Sequence, residues 1–127
     1  MASRFEHETR SQHNEDLCTY LRAAAPSAFC DWQVTALFYA AVHLVDAYLA
    51  ATYGLHPNLH RDRTGRGRGR SDCVQQHLRA VYVDYRQLES LSRIARYQPD
   101  LPVTHTAVAT AEACLHRVKT EVRRRLP

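Results

Sequence analysis

The amino-acid sequence predicts an all-α protein, an antiparallel four-helix bundle with one long Arg/Gly-rich loop between its second and third helices. Three observations carry that expectation. Apolar side chains recur at steps of three and four in separate stretches, with no alternating strand pattern between them. The stretch from Asp31 to Tyr53, DWQVTALFYAAVHLVDAYLAATY, is apolar on almost every side of a helical wheel, so it must be surrounded by other elements. All four glycines (Gly54, Gly65, Gly67, Gly69) fall in one window, where the apolar periodicity stops.

Ser3 followed by Glu6 is a capping-box pattern, and the helix it opens is expected to run to about Ala25. Its apolar side is thin, chiefly Phe5, Leu17, Tyr20, Leu21 and Ala24, which places it on the outside of the bundle. Pro26 and Ser27 break the chain, and Ser27 is positioned to cap the second helix. Gly54 is expected to end that helix in the left-handed conformation, with Pro57 just beyond. The segment GLHPNLHRDRTGRGRGRS, about 54–71, has no apolar period and reads as a flexible or functional loop. Asp72 restarts a helix through Arg96, in which Val74, Leu78, Val81, Tyr85, Leu88, Ser92 and Ala95 keep steps of three and four; Pro99 and Pro102 stop it. Thr104 begins the last helix, with Val108, Ala111, Leu115, Val118 and Val122 in line. Arg123, Arg124 and Arg125 close it with cations suited to a helix C-terminus.

A chain of 127 residues fits one domain, 1–127, large enough to hold a core without metals or disulfides. The four cysteines stand at least 12 residues apart, which excludes CxxC-type zinc and redox motifs and reads as free thiols. The opening MASRFEHETRSQHNEDL has no apolar run, and the apolar helix carries His43 and Asp46 in its middle. Neither a signal peptide nor a membrane span is expected, and the reading is a soluble cytoplasmic protein.

Two polar features ask for partners. Trp32, Thr35, Tyr39, His43 and Asp46 share one stripe of the central helix. Burying the last three without a hydrogen bond costs about 1–3 kcal/mol each. They therefore meet another helix, line a cleft or face a second subunit. The net charge is +4, and the window from Gly54 to Ser71 holds five arginines against Asp62 alone, so the rest of the chain is neutral. Arginine on a Gly-rich tether suits phosphates and base faces, which predicts nucleic-acid contact local to that end of the bundle.

The segments WQVTALFYAAVHLVDAYLA, HPNLHRDR and YRQLESLSRIARY, followed by a final amphipathic helix, resemble the HEPN superfamily (higher eukaryotes and prokaryotes nucleotide-binding domain) over roughly Leu17 to Arg123. The resemblance implies a four- or five-helix bundle, commonly a homodimer, found in toxin–antitoxin systems, phage defence and RNA processing, often beside a nucleotidyltransferase. Many members are metal-independent ribonucleases, and the others bind nucleotides, RNA or proteins. The ribonucleases carry an Arg, four to six residues, then a His. The His takes the proton of the 2′-hydroxyl, and the Arg compensates charge gathering on the phosphate.

Arg70 and His77 have that spacing, while His56, His60 and Arg63 form a second His/Arg group; these five are the catalytic candidates. Where the motif more usually falls, Arg96 and His105 have eight residues between them, two of them proline, so the pattern is broken there. Arg61, Arg63, Arg66, Arg68 and Arg70 are the nucleic-acid-binding candidates. Tyr39, His43 and Asp46 read as a buried polar network or dimer interface. His56 and His60 have an HxxxH spacing, but Pro57 interrupts it and no third ligand is evident, so no metal or cofactor is expected. The function implied is a metal-independent endoribonuclease, with a non-catalytic binding module or a helical accessory subunit as the alternatives. The partners implied are RNA or a nucleotide, a second copy, an antitoxin or a nucleotidyltransferase.

Overall fold

The computed structural model describes residues 1–60 and 68–127, and every regular element among them is helical. The order is α1 (Arg4–Ala24), α2 (Cys30–Tyr53), α3 (Arg70–His77), a 3-10 turn (Arg79–Val81), α4 (Tyr82–Tyr97) and α5 (His105–Arg125). α2 is the centre, with α1, α4 and α5 packed around it and α3 against its C-terminal half. Of its 24 residues, 16 are buried, among them Val34, Phe38, Ala41, Val45 and Leu49. By length and composition α2 would suit a membrane span, but 78% of its apolar window is buried inside the fold. Facing it are Tyr85 and Leu88 from α4 and Val108, Ala111, Leu115, Val118 and Val122 from α5.

The start of α1 and the end of α2 follow local chemistry, while the start of α2 departs from the expected cap. The Ser3 hydroxyl accepts from the Glu6 amide at 3.2 Å, and the Glu6 carboxylate accepts from the Ser3 amide at 2.6 Å. Gly54 ends α2 at φ 63°, a left-handed conformation that side chains disfavour. Ser27 does not cap α2; Phe29 stands at that position without a side-chain bond, and the Ser27 hydroxyl instead lies 3.2 Å from His105 Nε2. The turn between α1 and α2 is thereby tied to the start of α5.

The continuous helix expected from Asp72 to Arg96 is two helices. The backbone leaves the helical region at Leu78 (φ −131°, ψ 45°) and again at Val81, with the 3-10 turn between. No glycine or proline marks the break. A 3-10 turn keeps apolar residues three apart, so Val74, Leu78, Val81 and Tyr85 are all buried and the periodicity runs through unchanged. Among the described residues, five α-helices therefore pack together where four were expected.

The chain doubles back after α2. The segment from Gly54 to His60 runs back along α2, held there by the Arg70 and Ser71 amides, which donate to the Leu59 and His60 carbonyls. His60 thus packs on Phe38 and Tyr39 in the middle of α2, with ring centroids 5.5 and 6.1 Å away. α3 then runs beside the last two turns of α2 in the same direction, since Arg70 meets Asp46 and His77 meets Tyr53, seven residues on in each helix.

Candidate functional site

The start of α3 organises the site. A helix leaves its first amide donors without intrahelical partners. Here the Arg70 and Ser71 amides donate to the carbonyls of Leu59 and His60 at 2.7 and 2.9 Å, and the Asp72 carboxylate accepts from the Gly69 amide at 3.1 Å. The returning segment is thereby pinned to α3, which fixes His60 beside Arg70.

Arg70 is 7% exposed, and four of the five N–H groups of its guanidinium have partners. Nε donates to Asp46 Oδ1 at 2.6 Å, and Nη2 donates to Asp46 Oδ2 at 3.0 Å and to the Pro57 carbonyl at 2.9 Å. Nη1 lies 3.1 Å from His60 Nδ1. Arginine donates and does not accept. His60 Nδ1 is therefore the acceptor, and the neutral ring carries its proton on Nε2. Burial, then the charges of Arg70 and Arg96, hold the His60 pKa below the usual histidine value, so the ring is neutral at pH 7.

Three residues of the polar stripe of α2, Tyr39, His43 and Asp46, each meet a side chain from another element. Asp46 takes Arg70. Tyr39 accepts from Arg96 Nη1 at 3.0 Å, while Arg96 Nε donates to Ser92 Oγ at 3.1 Å. The Arg96 guanidinium also lies over the rings of Tyr39 and Tyr97, 5.5 and 4.9 Å from their centroids. His43 Nδ1 is 3.1 Å from His7 Nδ1 of α1. Burial and the neighbouring His7 lower the His43 pKa, and Asp46 only partly opposes them.

The sequence candidates separate into groups. His60 and Arg70 come together, joined by Tyr39 and Asp46. His77 stands apart from Arg70 despite the matching spacing: its ring stacks on Tyr53 at 4.0 Å, two turns away. With His56 and the exposed Arg68 it lines a groove of about 580 Å³ beside Cys73 and Gln76. The candidates Arg61, Arg63 and Arg66 lie in 61–67, outside the described residues. Arg96 and His105 diverge, Arg96 to Tyr39 and His105 to Ser27. Sequence spacing singled out Arg96 only as half of a broken motif; its true partner, Tyr39, lies 57 positions away. The signal that pointed to it was the unpartnered phenol on the buried stripe.

The class defined by this arrangement is a helical protein with a half-buried His/Arg/Tyr cluster at its centre. Comparison with protein-family models, with curated proteins and with solved structures finds no match to this chain.

Proposed function

We propose that this protein is a HEPN-type module that binds single-stranded RNA through Arg96 and His60, with Tyr39 between them. The observation that carries this reading is the pairing of a neutral, half-buried His60 with Arg96 around one phenol. Because Arg70 occupies Nδ1, His60 offers a donor at Nε2. A guanidinium and an imidazole N–H suit a phosphate, and the adjoining aromatic faces suit bases. Tyr97 is 68% exposed beside Arg96. Trp32, 55% exposed, lies on the same stripe two turns, about 10 Å, before Tyr39. The arginine-rich stretch from Arg61 to Arg70 supplies sequence-tolerant attraction at the point where the chain enters α3. Arg70 itself acts as a positioning residue, since four of its five donors are taken up within the fold.

The endoribonuclease is the second reading, favoured by the same Arg96–His60 juxtaposition. It requires His60 to release Arg70, because a base must have a free lone pair while the imidazole here accepts at Nδ1 and is protonated at Nε2. A homodimer would bring two such clusters to one cleft, and an antitoxin or nucleotidyltransferase would be the accompanying protein in a cytoplasmic defence system.

The test is binding and cleavage of a single-stranded oligoribonucleotide in EDTA, read by quenching of the lone Trp32 and by product analysis. Binding is expected to fall at least ~10-fold in Arg96→Ala and in His60→Ala, with Arg124→Ala unchanged, and to weaken with salt. Products with cyclic phosphate ends would select the ribonuclease reading. Binding equal in all four proteins would reject the site.

A further inference from the structure

His7 and His43 take no part in the RNA reading, and with Asp46, which holds Arg70, they form a cluster between α1 and α2. One ligand atom from each residue lies within 4.8 Å of the other two, with the histidines half-buried and the aspartate buried. His43 and Asp46 are three apart on α2, so they project from one face one turn apart. α1 supplies His7 opposite them.

The distance between the two imidazole nitrogens is informative. Two nitrogens at about 2.0–2.1 Å from one ion, at tetrahedral or octahedral angles, stand about 2.9–3.4 Å apart. His7 and His43 hold theirs at 3.1 Å. The same distance suits two neutral rings sharing a proton, so the third ligand matters. Asp46 receives two bonds from Arg70, and a carboxylate has about four lone-pair sites, which leaves it room to accept on its other side. Arg70 would then orient it, as outer partners orient metal ligands. The positive charges of Arg70 and Arg10 reach His43 and oppose a cation, so the two imidazoles must carry the affinity.

We propose that His7, His43 and Asp46 bind a divalent first-row transition-metal ion of the zinc class between α1 and α2. Two imidazoles and one carboxylate select such an ion over magnesium or calcium, which take oxygen ligands. Three protein ligands leave an open position on the ion, the arrangement of reactive rather than structural zinc. The HxxxH pair His56 and His60 takes no part. This inference does not rest on the RNA reading, which is tested in EDTA.

Titration calorimetry of the untagged protein with Zn²⁺, and visible absorption with Co²⁺, test it. The expected result is one ion per chain, with affinity reduced more than ~10-fold in His7→Ala and in His43→Gln, and unaltered in His56→Ala. His7→Ala lies on the outer helix and changes a half-buried side chain, so its fold, checked by circular dichroism, is expected to persist. Absence of binding to the wild type, or binding undiminished in folded His7→Ala, would overturn the proposal and leave a histidine pair joined by a hydrogen bond.

Discussion

His60 and His43 show how one side chain's surroundings set its chemistry. Each is half-buried and each faces positive or neutral neighbours more than negative ones, so the charged form is disfavoured in the fold. A histidine whose folded pKa lies below its unfolded value, 6.5, binds fewer protons folded than unfolded in the interval between the two. The stability it contributes is complete above pH 6.5 and is lost as pH falls through the depressed folded value. Chemical denaturation from pH 8 to pH 5 should show decreasing stability below about pH 6.5. His60→Gln and His43→Gln should each flatten that decrease. An unchanged slope in both variants would mean that other groups carry the dependence.

At the scale of elements, the Asp46–Arg70 pair joins α2, the returning segment and α3. Removing one partner leaves a buried charge unpaired, which costs about 3–5 kcal/mol. Arg70→Ala and Asp46→Ala should each lose that much by urea denaturation. The double variant Asp46→Leu/Arg70→Met should lose less than either, since both charges go and apolar volume remains. Gly54→Ala isolates a smaller effect. Nothing lies within 4 Å of an added Cβ there, so the expected loss of about 1 kcal/mol comes from the left-handed backbone alone.

These elements also mark where the sequence was legible. α1, α2 and α5 were, because their caps and apolar steps are local: Ser3 with Glu6, Gly54, and the line Val108 to Val122. The break at Leu78 was not, because a 3-10 turn preserves the spacing that a continuous helix would show. The stripe Tyr39, His43 and Asp46 could be recognised as needing partners, but their identities depend on long-range closure. Arg70 is 24 positions from Asp46, Arg96 is 57 from Tyr39, and His7 is 36 from His43. The Arg70–His77 spacing does not bring the two side chains together, for a related reason. Seven positions place two residues on one helical face, yet α2 offers Asp46 to the first and Tyr53 to the second.

For the whole molecule, the net charge of +4 is concentrated in the stretch of sequence between α2 and α3. Ion pairs elsewhere, such as Lys119 with Glu15 at 2.8 Å and Arg117 with Asp84 at 2.7 Å, keep the remaining surface balanced. RNA binding should therefore be local and steeply salt-dependent. The slope of log K against log salt for single strands is about −0.7 per phosphate neutralised. Arg96→Ala should make that slope shallower by about 0.7 if Arg96 contacts one phosphate. An equal slope would place Arg96 outside the contact.

The most direct measurement is a map of amide and indole NMR shifts while the isotopically labelled protein is titrated with a short single-stranded RNA. Changes should cluster on Tyr39, His60, Arg96, Tyr97 and the Trp32 indole, with α5 silent from Val108 to Val122. Changes confined to Arg123, Arg124 and Arg125, or none at all up to saturating RNA, would contradict an RNA site on the α2 stripe.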